Sequence, residues 1–227
     1  MTQTIMSRAV DLLAEHYGRT VESLPSDHWH ALVRVVLDGR PSKKAARDWL
    51  WIDESPVRSP GEIARQNAAQ LAEALVAAGQ SASRAGVLNG LAEWWLRRIG
   101  DEDASAVFRA RSREYWQDEL RVIRGVSWEL ADRILLVVGG LAIYPLDRGS
   151  VRIAARHGWM DVTAEYEDWQ SFFSAGLCEA DVELGLAAQW MSRAGREFCG
   201  AKPKCDACPL KSLLPERGAI LLDGDDS

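Results

Sequence analysis

The sequence lacks long apolar segments and any recognisable export signal. Its longest apolar run, Ile134–Leu146, has 13 residues and contains a Gly-Gly pair, whereas a membrane-spanning helix needs about 20 residues. The N-terminal stretch MTQTIMSRAVDLLAEHYG has neither the basic start nor the apolar centre of a secretory signal peptide. We therefore expect a soluble, cytoplasmic protein that does not cross a membrane.

Lysine is also scarce, and the basic residues are unevenly distributed. Only five of the 27 basic residues are lysines, at positions 43, 44, 202, 204 and 211. The net charge of −6 excludes a general polycation, but the segment Arg121–Arg156 contains six arginines and three acids, a local charge of +3. Such a stripe is typical of contacts to nucleic-acid phosphates. A solvated charged face is the alternative interpretation.

Helical periodicity dominates the chain. Apolar residues recur at three- and four-residue spacings, as in MSRAVDLLAEHYG, and apolar residues make up 47% of the sequence, enough for a core. We find no run of alternating residues and no repeat of fixed period. The sequence therefore predicts an all-α fold with short loops, in which residues 104–123 form one helix and residues 59–80 form two short ones.

A glycine turn precedes the most apolar of these helices. Gly125 allows a sharp turn and a close approach of the backbone to another molecule. The helix that follows exposes backbone N–H groups and the positive end of its dipole, which together favour a phosphate. An ordinary loop between two core helices is the alternative interpretation of the same residues.

The motifs VIRGVSWELADRILLVVGG and YPLDRGSVRIAARHGW resemble those of the helix-hairpin-helix DNA glycosylases of the endonuclease III superfamily. Members carry a G-V-G hairpin, an Ala-Asp or Ala-Asn pair in the next helix, and a catalytic aspartate followed five residues later by an arginine. The matching positions are Gly125-Val126, Ala131-Asp132, Asp147 and Arg152. Two more segments match: Gly79 with Arg84-Ala85, and REFCGAKPKCDACPL. The resemblance extends over residues 26–212.

This resemblance implies two α-helical domains with a DNA-binding cleft between them. Residues 26–140 would form a six-helix barrel that carries the helix-hairpin-helix. Residues 1–25 and 141–227 would form the second helical domain, which includes the cysteine-rich loop. The implied partner is double-stranded DNA with one damaged base flipped into the cleft, because the bond to be cleaved cannot be reached inside a duplex.

The resemblance also implies two candidate catalytic acids. A carboxylate at Asp147 would stabilise the oxocarbenium-like state of the sugar or activate a water molecule, and it could cap a helix at the same time. Members that nick the strand have a lysine at the position of Glu129, and its amine forms a Schiff base with the sugar. Glutamate cannot form that bond, so we expect no lyase step. Glu129 is either a second acid–base group or a passive acid at a helix N-terminus.

The DNA-binding residues implied by the motifs are Arg124, Gly125, Val126, Ser127, Arg148 and Arg152. Ser127 replaces the second hairpin glycine of the family. The segment VLDGRPSKK falls where the family often has a glutamine that fills the gap left by the flipped base. Arg40 lies in this segment and is the seventh candidate DNA contact.

The chain has four cysteines, three of which lie close together near the C-terminus. Family members commonly bind a [4Fe–4S] cluster through four thiolates. Here Cys199, Cys205 and Cys208 supply three, and the fourth position falls near Leu214. Cys178 is too far along a predicted helix to substitute. The loop therefore holds a cluster with another fourth ligand, holds a three-iron cluster or zinc, or packs without metal.

Two functions remain after these observations. The first is a monofunctional DNA glycosylase of base excision repair, monomeric and associated with the nucleoid in the cytoplasm. The second is a catalytically reduced DNA-binding protein that recognises damage or DNA structure. Asp147 favours the first function, whereas the absent glutamine and the incomplete cysteine set favour the second. Three motifs in the family's order argue against a third possibility, an unrelated all-α regulator.

Overall fold

The computed structural model describes residues 4–19, 27–37, 59–177 and 184–222. These residues form eleven α-helices and no strand, so the predicted all-α class is confirmed. Within the described residues, no helix is both long enough and apolar enough to cross a bilayer. Arg40 and Cys178, which carried predictions from the sequence, lie outside the described residues.

The helices fall into two compact units. One unit comprises Ser23–Leu141 and the other comprises Met1–Glu22 with Ala142–Ser227. The first contains α2 (His28–Leu37), α3 (Pro60–Arg65), α4 (Ala68–Ala77), α5 (Ser83–Arg98), α6 (Ala104–Arg109), α7 (Arg113–Arg121) and α8 (Trp128–Val137). The second contains α1 (Ile5–Tyr17), α9 (Arg148–Arg156), α10 (Tyr166–Leu177), α11 (Leu184–Glu197) and two short 3-10 turns, Cys205–Ala207 and Lys211–Leu213. The six-helix barrel predicted for residues 26–140 stays a prediction.

The prediction of a single helix over residues 104–123 is wrong. The structure has two helices there, α6 and α7, separated at Ser112. The Ser112 hydroxyl accepts a hydrogen bond from the backbone N–H of Tyr115 at 3.3 Å and starts α7. A serine in this role satisfies an N–H that the helix itself leaves unpaired. The apolar periodicity continues across the break and conceals it.

Close backbone packing supports the loop after α7 in the first unit. Gly90 of α5 lies against Ile123, whose Cγ2 would be only 2.6 Å from a Cβ at the glycine. In the same unit, Trp94, Phe108 and Trp116 form a buried aromatic cluster, and the Trp116 indole N–H donates to the Phe108 carbonyl at 2.7 Å. This cluster ties α5, α6 and α7 together.

Two glycines bring α9 and α11 into contact in the second unit. A Cβ on Gly195 would lie 2.5 Å from the Cα of Gly149, so neither position has room for a side chain. Beside this crossing, Tyr144 stacks on Phe173 with ring centroids 4.5 Å apart. The N-terminus of α9 is therefore held against two neighbouring elements, and Asp147 lies at that point.

Candidate active site

The loop between α7 and α8 is a tight hairpin that requires glycine. Gly125 has φ +91°, in the left-handed region, and an added Cβ would lie 2.7 Å from Cγ2 of Val87 on α5. The N–H of Val126 donates to the carbonyl of Ile123 at 3.0 Å, which closes the turn, and the Val126 side chain is buried. Both the turn and its packing thus exclude other residue types at position 125.

The hairpin brings together four residues predicted to bind DNA. Arg124, Gly125 and Ser127 are exposed, whereas Val126 anchors the turn in the core. The Ser127 hydroxyl accepts the N–H of Leu130 at 3.2 Å and caps α8. Serine therefore takes the helix-capping role at the position of the second family glycine. Contact of these four residues with DNA stays a prediction.

Glu129 lies in the first turn of α8, half-buried and close to two arginines. Burial lowers the pKa of Arg84 on α5, the charge of Arg133 lowers it further, and the charge of Glu129 acts in the opposite direction. Arg133 is four residues after Glu129 on α8, a spacing at which helical side chains meet. The structure thus places Glu129 close to Arg84, which belongs to the Arg84-Ala85 motif.

Asp147 is the N-cap of α9, as its sequence context predicted. One carboxylate oxygen, Oδ1, accepts the Ser150 N–H at 2.8 Å and the Ser150 hydroxyl at 2.6 Å. The other, Oδ2, accepts the hydroxyl of Ser192 on α11 at 2.8 Å. The residue is half-buried, and its carboxylate is fixed by hydroxyl groups on both oxygens. Its catalytic role stays a prediction.

The other predicted DNA contacts of this unit differ in their surroundings. Arg148, the first residue of α9, is exposed. Arg152 is half-buried: its Nε donates to the carbonyl of Cys199 at 2.8 Å and its Nη2 to that of Gly195 at 3.4 Å. The sequence interpretation missed this structural contact. Arg152 ties α9 to the start of the cysteine loop, whatever further contact it makes.

The three clustered cysteines line one small pocket at the C-terminal end of α9. Arg156, 1% exposed, donates to the sulfur of Cys199 at 3.2 Å and to the carbonyl of Gly200 at 2.7 Å. Burial raises the pKa of the Cys199 thiol, although Arg156 opposes that shift, and burial also raises the pKa of Cys208. The loop is therefore held to α9 by arginine side chains.

The residues of this pocket do not fit a cluster bound by four cysteines. Leu214, near the expected fourth ligand, lines the pocket with the three thiols and offers no donor atom. Throughout the described ranges, no three His, Cys, Asp or Glu side chains are grouped so that they could hold a metal ion. Four thiolates are the usual ligand set for a [4Fe–4S] cluster. We accordingly derive no chemical step through a metal at this loop.

Four residues of the Asp147 network escaped the sequence interpretation: Tyr144, Ser150, Ser192 and Arg196. The Tyr144 hydroxyl lies 2.8 Å from the Ser150 hydroxyl, and Nη1 of Arg196 lies 2.5 Å from the Ser192 hydroxyl. Only local spacing signalled part of this arrangement, because Ser150 follows Asp147 by three residues and Arg196 follows Ser192 by four. The link from α9 to α11 required the structure.

Comparison with known proteins gives one curated relative and many solved structures. Endonuclease III of Sulfolobus acidocaldarius is 25% identical over 154 residues, which cover 67% of this chain and 65% of the relative. The match thus spans slightly less than two thirds of that relative's length. No family model matches the chain.

Two solved structures align over nearly the whole chain. An endonuclease III trapped as a covalent intermediate with DNA has a TM-score of 0.66 and 19% identity, and the alignment covers 95% of this chain and 97% of that one. A thermostable thymine-DNA glycosylase also has a TM-score of 0.66, with 14% identity and coverage of 92% and 94%. The chain therefore has the helical fold shared by these two proteins. The resemblance to the helix-hairpin-helix glycosylases of the endonuclease III superfamily is confirmed.

Proposed function

We propose that this protein is a monofunctional DNA glycosylase that removes a damaged or mismatched base in base excision repair. The observation that carries the proposal is Asp147: a half-buried residue whose two carboxylate oxygens are both fixed by hydroxyl donors, at the helix start where the resemblance puts the catalytic aspartate. The exposed acids Asp103 and Asp161 each accept a backbone N–H and one hydroxyl on a single oxygen, whereas Asp147 has a hydroxyl donor on each oxygen. Asp147 would face the sugar of a flipped nucleotide and stabilise its positive charge, or orient the attacking water.

The hairpin would hold the DNA strand. Its turn points exposed Arg124 and Ser127 to solvent, and the N-terminus of α8 adds the positive end of a helix dipole. These groups suit a phosphate and carry no base specificity. Exposed Arg148, beside Asp147, would contact the backbone in the same way. The partner in this proposal is double-stranded DNA with one base flipped out, bound by a single copy of the chain.

Glu129 is the reason to propose base removal without strand cleavage. A carboxylate cannot form the Schiff base that a lysine at this position forms in strand-nicking members. The neighbouring charge of Arg84 gives the carboxylate a structural partner instead. In the part of the chain that the structure describes, the three lysines lie in or next to the cysteine loop, at positions 202, 204 and 211.

The test of base removal uses duplexes that each contain one damaged or mismatched base, followed by alkali. We expect strand breaks that require alkali for at least one duplex, and their loss in Asp147→Asn, because asparagine keeps the helix cap but not the charge. Asp161→Asn is the matched control, since Asp161 also accepts a backbone N–H and a hydroxyl, from Thr163, in an exposed turn. DNA binding with no base release from any duplex would overturn the glycosylase proposal and support the DNA-binding alternative.

The test of the missing lyase step is a gain of function. A lysine in Glu129→Lys would lie near Arg84 and Arg133, whose charges lower the pKa of an amine and favour its nucleophilic form. We expect this variant to break the strand without alkali and to be trapped on DNA by borohydride. Glu129→Gln, the control, should release the base without either property. Trapping of the wild-type protein by borohydride would contradict our interpretation of Glu129.

A further inference from the structure

Two hydroxyl groups from different elements hold the two oxygens of Asp147. Ser150, on α9 itself, binds Oδ1 at 2.6 Å, and Ser192, on α11, binds Oδ2 at 2.8 Å. The two contacts act on different oxygens and so define both the position and the rotation of the carboxylate plane. A helix cap alone needs only the contact between Oδ1 and the Ser150 N–H. The bond from Ser192 therefore exceeds what capping requires.

Each hydroxyl is fixed in direction by a second donor behind it. Arg196 donates Nη1–H to the Ser192 oxygen at 2.5 Å, and a guanidinium group cannot accept. The single hydrogen of Ser192 is thus directed to Asp147. On the other side, Ser150 uses its hydrogen on Asp147, so the buried Tyr144 hydroxyl must donate to Ser150 at 2.8 Å. Burial raises the pKa of Tyr144, which keeps this donor protonated.

The backbone beneath the network leaves little freedom to rearrange. Gly149, two residues after Asp147, lies against Gly195, one residue before Arg196. A Cβ on Gly195 would meet the backbone of Gly149 at 2.5 Å, so the backbones of α9 and α11 are in direct contact at this point. The Ser192 and Arg196 side chains thus reach Asp147 from a fixed distance. Ser192 is half-buried and Arg196 is exposed, so these two residues, the α11 arm of the network, are open to solvent.

We propose that Ser192 and Arg196 of α11 are positioning residues that orient the Asp147 carboxylate for glycosidic bond cleavage. This inference rests on the proposed glycosylase function. Arg196 acts through Ser192, and Ser192 acts through Asp147; neither needs to touch the substrate. Ser150 and Tyr144 form the buried counterpart of this arm and also belong to the core of the second unit. The α11 arm is the part whose removal should change chemistry more than folding.

The test measures single-turnover base release, DNA affinity and the free energy of unfolding on the full chain. We expect Ser192→Ala to slow base release about tenfold, since a small misplacement of a catalytic group has an effect of at least that order. DNA affinity and stability should be unchanged. Ser192→Thr, which keeps the hydroxyl, should restore the rate. Arg196→Met should slow base release less than Ser192→Ala does. Ser174→Ala, at a half-buried serine of α10, is the control.

A double variant separates positioning from an independent role. If Ser192 acts only through Asp147, combining Ser192→Ala with Asp147→Asn should slow base release no more than Asp147→Asn alone. Additive losses, or a wild-type rate in Ser192→Ala, would overturn the positioning role and leave the glycosylase function intact. A rate that falls only in proportion to the folded fraction would also overturn it. Absence of base release by the wild-type protein on every duplex would instead overturn the function and this inference together.

Discussion

The two ends of α9 present opposite arrangements within one nine-residue helix. At the N-terminal end, the carboxylate of half-buried Asp147 accepts hydrogen bonds from side chains. At the C-terminal end, Arg156 and His157 are buried and directed at backbone carbonyls and at the thiol of Cys199. The N-terminal end of α9 thus presents a hydrogen-bond acceptor, and the C-terminal end uses hydrogen-bond donors to hold the cysteine loop.

This difference shows which kind of site tolerates loss of a ligand. The cysteine loop has three clustered thiols and Leu214 at the position expected for a fourth, yet its path is fixed by bonds to the carbonyls of residues 199, 200, 201 and 210. Backbone carbonyls are present whatever the side chains are, so this anchoring does not require a cysteine at position 214. The Asp147 end depends on particular side-chain atoms. We therefore expect substitutions at the two ends to separate into effects on stability and effects on catalysis.

The largest stability effect should come from Arg156→Met, which keeps the volume of the buried side chain and removes its donors. The carbonyls of Gly200 and Ala201 and the sulfur of Cys199 would lose their partner. We expect the free energy of unfolding to fall by about 3 kcal/mol, measured by urea denaturation. Base release per folded molecule should change less than about twofold, because Arg156 does not contact Asp147. Arg109→Met, at an exposed arginine, is the control.

That comparison fails if Arg156→Met abolishes base release while the protein remains folded. Such a result would mean that the two ends of α9 are coupled and that the loop contributes to the reaction. An unfolding free energy equal to that of the wild type would contradict the anchoring role of Arg156.

The next effect should come from the glycine contact that brings α11 to Asp147. In Gly195→Ala the new methyl group would lie 2.5 Å from the Cα of Gly149, so the two helices must separate. We expect a loss of about 2 kcal/mol in the free energy of unfolding and slower base release, because the Ser192 hydroxyl moves away from Asp147. Gly200→Ala is the control, since nothing lies within 4 Å of its Cβ position. Equal stability of the two variants would contradict the close approach of α9 and α11.

A metal experiment tests whether the cysteine loop is complete without a fourth thiol. Leu214→Cys would place a fourth cysteine on the pocket that Cys199, Cys205 and Cys208 already line. After anaerobic reconstitution with iron and sulfide, we expect a brown protein with four irons per chain only from this variant. Leu214→Ser is the control for loss of the leucine. Stoichiometric four-iron loading of the wild-type chain would show that a group other than cysteine completes the ligand set.

Much of this molecule was predictable from the sequence, for local physical reasons. The all-α class follows from apolar spacing, and the turn at Gly125 and the cap at Asp147 follow from residue types with narrow conformational preferences. The motif order indicated the fold that the comparisons confirm. The missed break between α6 and α7 is also local, since a single serine outweighs continuous apolar periodicity there.

The rest depends on contacts between residues distant in the chain. Ser192 is 45 residues from Asp147, and Cys199 is 47 residues from Arg152. Spacing rules act over three or four positions on one helix and carry no information about such pairs. Arg152 illustrates the consequence: its motif position predicts a DNA contact, which stays a prediction, and only the structure shows that its Nε is bonded to the backbone of the cysteine loop.

The smallest expected effect is a pH dependence of stability from His157, at the C-terminal end of α9. Burial lowers the pKa of His157, whereas the carbonyls of Ile153 and Leu210, to only one of which a neutral ring can donate, act in the opposite direction. The folded protein therefore favours the neutral ring, while the unfolded chain takes up a proton near the ordinary value of 6.5. The contribution to stability is complete above that pH and declines as the pH falls through and below it. Between about pH 7 and about pH 5, the free energy of unfolding should thus fall more steeply for the wild type than for His157→Gln. The titration of carboxylates contributes equally to both proteins and cancels when the two slopes of unfolding free energy against pH are subtracted. Equal slopes would therefore show that hydrogen bonding to the carbonyls of Ile153 and Leu210 offsets the burial of the ring.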